Sequence, residues 1–324
     1  MATDLAPPPT EASRKAKKQK APRVPLGAAI LRYRWLYLML LPGLAYFVIF
    51  KYLPMYGLTI AFQDFVPFLG YSGSEWVGLK HFETLFAGGD FGMLFSNTMI
   101  LAMLIFLIAF PMPIIVALML NELRINVVKR SVQSLIYIPH FLSWTIVAGL
   151  TYILFSVDFG VIANWIHSVV GGGKVDYVAQ ADWFRPIIIL QTVWKGTGWG
   201  TIIYLAALAS VNTELYEAAR MDGAGRWRQF WHVTLPAIRP TIVLMAILHS
   251  GHLLDQSFEQ LWLLTNSLNR EVANVFDTYT YYVGITQGGY SYATAVGLFK
   301  GTVGVLLIFG CNWLAKRLGQ RGLF

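Results

Sequence analysis

Cysteine is nearly absent from this chain of 324 residues. The single Cys311 lies in an apolar run, so no intrachain disulfide is available and the compartment is not readable from it. Charge is scarce as well. Only 13% of residues are charged while 56% are hydrophobic, against about a quarter charged in an ordinary soluble domain. Such a chain either buries almost everything or sits in lipid, and mean hydropathy is positive at +0.53. No Ser/His/Asp or Cys/His arrangement is legible from spacing, so nothing marks the chain as an enzyme. The run Gly171-Gly172-Gly173-Lys174 is the one candidate phosphate loop. It lacks the first Gly at the required spacing and continues with Val175 where Ser or Thr is needed, so it is no ATP site. No internal repeat is visible, which weakens the case for transporters built from repeated halves.

What the chain does have is long apolar runs. Six approach the roughly 20 residues that a spanning helix needs: 35–62, 94–120, 135–156, 186–210, 238–264 and 293–314. Pro42, Pro54, Pro111 and Pro113 fall inside or near their ends, where neighbouring helices satisfy the freed carbonyls. Residues 1–26 are rich in Pro, Ala and Lys and lack the apolar content for a core, so they read as a disordered basic tail before a domain at 27–324. The apolar run that follows has no clear cleavage site, which predicts an uncleaved first span, with 27–34 on the membrane surface. The net charge of +8 is distributed as a topology signal. Arg14, Lys15, Lys17, Lys18 and Lys20 share a side with Arg124, Lys129 and Arg130, with Arg220, Arg226, Arg228 and Arg239, and with Lys316, Arg317 and Arg321. The positive-inside rule puts both termini and the fourth connection in the cytoplasm. No basic face on a soluble domain points to nucleic acid.

The fourth connection, 212–240, is more than a turn. Thr213 is placed to cap a helix, Glu214 and Glu217 suit the positive end of its dipole, and Ala218 and Ala219 leave a face that another backbone can approach. Gly223 and Gly225 stop it, and Leu235-Pro236 ends a second short helix. These residues resemble the loop of membrane subunits of binding-protein-dependent ABC importers. The family pattern is Glu-Ala-Ala, three residues, Gly, nine residues, Ile, one residue, Leu-Pro. Here Glu217-Ala218-Ala219, Gly223, Leu235 and Pro236 match, and Val233 stands where Ile is usual. Asp222-Gly223-Ala224 and Trp227 resemble the carbohydrate-uptake branch, as do the Pro- and Gly-bearing first span and Asn97-Thr98. The whole is similar to permeases for oligosaccharides of acidic polysaccharides such as alginate or pectin.

The resemblance implies an all-α membrane protein of the type I importer fold, with six spans and a cytoplasmic coupling helix. It implies a bacterial inner-membrane location and a non-catalytic role. The implied partners are a second, related permease subunit, an ATPase dimer that uses ATP and Mg, and an extracytoplasmic solute-binding protein; no cofactor is implied for this chain itself. It makes Glu217, Ala218, Ala219, Asp222, Gly223, Leu235 and Pro236 the ATPase-coupling residues.

Other polar residues inside the runs read as a solute path. In the fifth, His252, Asp255, Gln256 and Glu259 recur at helical three- and four-residue steps and so share a face. That face lines a path, glues helices together, or, with His249, binds a metal. A proton- or ion-coupled carrier would use the same face as a relay. Asp255 and Glu259 would repel a polyanionic solute unless paired. In the fourth, Trp194, Lys195 and Trp199 stand in apolar sequence. Lys195 needs an anionic solute group or, as the expected arrangement, an acidic partner such as Asp255. In the sixth, Gly297 and Gly301 are four apart and Gly304 follows, small residues suited to close packing within the bundle or against another subunit. The Tyr-rich connection 266–292 reads as membrane-boundary anchors, with sugar or partner contact as the alternative.

Overall fold

The computed structural model describes residues 32–158, 160–171, 175–255 and 257–319. The expected tail at 1–26 and Gln256 lie outside them. Two units are present, one ending at Gly57 and the other starting at Leu58. In the first, α1 (Arg34–Phe47) continues through a π-turn at Val48–Tyr52.

The second unit opens with a two-residue hairpin of β1 (Gln63–Asp64) and β2 (Glu75–Trp76), antiparallel. Helix α2 (Lys80–Ala87) follows. Lys80 pairs with Asp64 at 2.6 Å, and its hydrogen bond holds the Asp64 carboxyl below the usual carboxylate range. Then come α3 (Asp90–Leu104), α4 (Pro111–Glu122), α5 (Asn126–Tyr137), α6 (Trp144–Phe155) and α7 (Val161–Val170). The longest helix is α8 (Ala181–Ala209). It is followed by α9 (Thr213–Met221), α10 (Arg226–Gln229), α11 (Leu235–Gly251), α12 (Phe258–Leu264), α13 (Phe276–Tyr281) and α14 (Tyr290–Arg317).

Four helical runs are long and apolar enough to cross a membrane: Arg34–Phe62, Asp90–Glu122, Arg226–Gly251 and Tyr290–Arg317. The pair Asn126–Phe141 and Trp144–Phe155 makes a fifth if counted as one span, but its halves meet at 103°. Helix α8, at 29 residues, has the length, since each residue rises about 1.5 Å; Gln191, Lys195 and the Gly- and Thr-rich stretch 196–201 make it less apolar.

Two expected spans are therefore broken. The run 135–156 tightens into a 3-10 turn over Ile138–Phe141, stops there and restarts after Ser143, whose hydroxyl accepts from Ile146 N at 3.3 Å and caps α6. The run 238–264 stops at Gly251 and restarts at Phe258. Between them the chain makes single turns, His252 N to His249 O at 3.1 Å and Asp255 N to His252 O at 2.9 Å.

Prolines are accommodated by a recurrent device. A π-turn precedes each of three: Val48–Tyr52 before Pro54, Ile105–Ala109 before Pro111, and Phe230–Thr234 before Pro236. A proline ring clashes with the carbonyl four residues back and supplies no N–H. One wider turn displaces that carbonyl and lets Phe110 N bond Ile105 O at 3.2 Å instead. For the same reason Leu235-Pro236 is no helix end, and the run continues unbroken over Arg226–Gly251.

Helix α8 is the common neighbour. Phe184, Ile187 and Ile188 pack with Leu101 of α3, Ala148 of α6 and Leu261 and Leu264 of α12. About four turns of helix further on, Tyr204 and Leu208 pack with Ala117 of α4 and Ile238 of α11. In lipid, such contacts depend on close fit rather than on escape from water. Gly198 shows the fit: a Cβ there would lie 1.9 Å from Ile136 O. Gly297 and Gly301 behave differently. Both are exposed and a Cβ on either would meet nothing within 4 Å, whereas Gly304 is buried 3.5 Å from Gly251 O. Of the three expected small residues, the contact within the bundle thus belongs to Gly304 and not to the four-apart pair.

Candidate functional site

The cytoplasm-assigned connection is a helix with closed ends. Its N-cap is Asn212, not Thr213: Asn212 Oδ1 accepts from Glu214 N at 3.0 Å. Glu214 sits in the first turn, and Glu217 lies one step beyond it. The C-terminus is a Schellman closure, with Ala224 N bonding Ala219 O at 2.8 Å and Gly223 N bonding Arg220 O at 3.0 Å. Gly223 has φ +74°, and a Cβ there would meet nothing. The demand for glycine is therefore one of backbone conformation, not of space. Gly225 is not a stop; it is extended and begins α10.

Two bonds pin α9 to the start of the next membrane helix. Tyr216 Oη meets Thr234 Oγ1 at 2.9 Å, and Gln229 Nε2 donates to Ala224 O at 2.7 Å. Thr234 is buried between them. Glu217, Ala218 and Asp222 stay exposed, Ala219 and Leu235 are half-buried, and Pro236 is exposed. Helix α9 is thus joined through Tyr216 to Thr234, the residue that precedes α11.

The polar residues of the interior form separate groups. Lys195 Nζ donates to His140 O at 2.8 Å and also to Leu142 O. Both carbonyls lie at the 103° break, where helix geometry leaves them without intrahelical donors. The same ammonium is 5.2 Å from the Trp144 ring centroid. Trp199 stacks on His140, centroids 4.6 Å apart and nearly parallel. The expected Lys195–Asp255 pair does not form, because the break's carbonyls occupy Lys195 and another lysine occupies Asp255. Trp194 is exposed.

That other lysine is Lys300 of α14. It lies 2.6 Å from Asp255 Oδ1 and also bonds Asp277 Oδ1. His252 Nδ1 is 3.3 Å from Asp255 Oδ2. Glu259 stands apart, accepting from Thr145 Oγ1 at 3.2 Å. His252, Asp255 and Glu259 therefore do not share a helix face, because the helix is interrupted between them. His249 lies against the rings of Phe106 and Phe110. Among the described residues, no group of three or more His, Cys, Asp and Glu could hold a metal ion.

A buried amide network was not anticipated. Gln260 Nε2 donates to Ile188 O and Gln191 Oε1, both at 3.0 Å, and Gln191 Nε2 donates to Thr151 Oγ1 at 2.6 Å. It ties α12, α8 and α6 together. Asn97 does similar work, donating to Glu271 O at 2.6 Å and accepting from Arg185 at 2.9 Å. A glutamine in an apolar run is the signal for such glue, but its partner is not readable from spacing. Tyrosines of the 266–292 connection pack within the chain: Tyr281 lies against Phe258 and Trp262, and Tyr279 Oη donates to Asp90 at 3.3 Å.

Comparison with known proteins agrees with this arrangement. The chain is 56% identical over 314 residues to protein LplB of Bacillus subtilis (strain 168), covering 95% of this chain and 98% of the relative. It is 52% identical over 308 residues to the polygalacturonan/rhamnogalacturonan transport system permease protein YteP of the same organism, with 95% of each covered. A crystal structure of a bacterial alginate ABC transporter, in complex with an alginate pentasaccharide-bound periplasmic protein, contains a chain that superimposes with TM-score 0.84 at 39% identity; 92% of this chain and 99% of that one are covered. Residues 109–321 match the family described as binding-protein-dependent transport system inner membrane component. The chain belongs to that family: it is a membrane permease subunit of the type I ABC importer fold.

Proposed function

We propose that this chain forms half of the pathway by which an ATP-driven importer takes up an acidic oligosaccharide. Six spans, counting α8 and the bent pair α5–α6 as one each, carry both termini and α9 on the cytoplasmic side. An extracytoplasmic binding protein delivers solute to the outer connections. A second, related permease subunit completes the path. An ATPase pair, using ATP and Mg, closes on α9.

The observation that carries this reading is the bonding of α9 to the base of α11 through Tyr216 and Thr234. It links the docking face of Glu217, Ala218, Ala219, Asp222 and Gly223 to a membrane helix in one step. The acidic solute is supported by the names of the relatives, which handle polygalacturonan, rhamnogalacturonan and alginate. It also fits the charge pattern. Asp255 is paired with Lys300, which also bonds Asp277, so one of the two carboxylates that would repel an anionic solute has a basic partner, and Glu259 bonds only Thr145 among the described residues. Trp194, Lys195, Trp199 and Glu259 line the path in this reading, with Lys195 setting the wall's shape.

The test is ATP hydrolysis by the full complex in proteoliposomes with its binding protein. Unsaturated or saturated galacturonan fragments should stimulate it, and neutral maltooligosaccharides of equal length should not. Equal stimulation by both would remove the acidic assignment. Uptake without any ATPase partner would remove the whole reading.

A further inference from the structure

We infer that the groove between α4, α9 and α10 is a binding site for an anionic phospholipid of the cytoplasmic leaflet. The groove has a volume of about 690 Å³. One wall is apolar, with Ile115, Leu118 and Met119 at one- and three-residue steps along α4. Ile115 and Met119 are exposed on that helix, the kind of surface an acyl chain covers, and Leu118 is half-buried beside them. The open end is basic: Arg124, Arg220 and Arg226 all line it.

The charge there is in surplus. Glu122 is the one acid in the lining, and it pairs only with Arg226, at 3.8 Å. Among the described residues, Arg124 and Arg220 make no ion pair and no side-chain hydrogen bond. A guanidinium offers planar, paired donors that match a phosphate, and its weak hydration suits a site at the lipid boundary. Basic pockets between helices on this side of a membrane are suited to anionic headgroups. Trp227, 73% exposed and stacked on Phe230 at 5.5 Å, closes the rim as an interfacial aromatic.

The site is separate from the docking face. Tyr216 and Arg220, four residues apart, point into the groove, while Ala218 lies on the opposite side of α9. A lipid here would therefore brace the helix from behind while its outer face stays open. The inference rests on the proposed orientation, and its readout is lipid, not transport, so the two fail separately.

The full chain with its co-purifying subunits, in nanodiscs of equal phosphatidylglycerol and phosphatidylcholine, is released into the gas phase for native mass spectrometry. Wild type should retain phosphatidylglycerol in preference to phosphatidylcholine. Each arginine near a headgroup contributes about 1 kcal/mol, or about fivefold, so the double variant Arg124→Gln, Arg220→Gln should lose that preference by about 25-fold. The charge-keeping pair Arg124→Lys, Arg220→Lys should retain most of it. Equal retention in wild type and the glutamine variant would overturn the site. So would retention that vanishes whenever the ATPase is bound, since the groove would then belong to a protein partner.

Discussion

The two helix breaks in the membrane domain meet the same problem with different chemistry. At the break before α6, orphan carbonyls take hydrogen bonds directly from Lys195. At the break after α11, the loop presents Asp255, and Lys300 pairs with it and with Asp277. The first break takes its lysine through backbone carbonyls, with His140 adding a ring stack on Trp199. The second is bonded through carboxylates, so it depends on which residues stand there. Both lysines come from helices distant in sequence. An unwound turn at membrane depth is tolerable only where protein satisfies its polar groups; Lys195 does so for backbone carbonyls at the first break, and Lys300 for carboxylates at the second.

That difference is open to direct attack. Lys300→Met should cost the most, about 3 kcal/mol, because it strands carboxylates; this is the low end for a buried pair, since Asp255 is half in solvent. Adding Asp277→Asn should recover part of the loss in a denaturant titration, as expected if the second break is held by charge. Lys195→Met should cost about 2 kcal/mol, the worth of charge-assisted bonds at a half-buried site. No acid-to-amide change should restore it, while Lys195→Arg should keep most of the stability. If Glu259→Gln rescued Lys195→Met, the contrast between the breaks would be lost.

Smaller effects should appear at α9. Gly223→Ala forces a Cβ into left-handed backbone at about 1–2 kcal/mol, and ATP-driven uptake should fall while membrane insertion persists. Asn212→Ala should cost about 1 kcal/mol through the lost cap, whereas Thr213→Ala should be close to silent. Circular dichroism of the peptide 210–226 in both forms checks the order.

Local chemistry explains what could be read in advance. The α9 motif rests on residues within a dozen positions of one another, so its helix, its Gly223 stop and its exposed alanine face were legible. The cap shifted by one residue because Asn212 and Thr213 are both competent and only the backbone decides. The second and sixth spans were legible from length and apolarity alone. The broken spans were not. Residues 238–264 keep helical periodicity in His252, Asp255 and Glu259, but Gly251 packs against Ile308 so closely that a Cβ would lie 2.6 Å from Cδ1, and Lys300 captures Asp255. Both are contacts from another helix, and periodicity carries no information about them. The partner of Lys195 was missed for the same reason, since a backbone carbonyl leaves no mark in the sequence.

The central claim is that the outer face of α9 is gripped by the ATPase. Disulfide or bifunctional cross-linking of Ala218→Cys, made in a Cys311→Ala background, tests it most directly in the intact complex. Ala218→Cys should join to the ATPase in a nucleotide-dependent way, and Leu268→Cys, in the outer connection, should not. Capture of the ATPase from position 268, or none from 218 in a complex that still hydrolyses ATP on solute addition, would contradict the account.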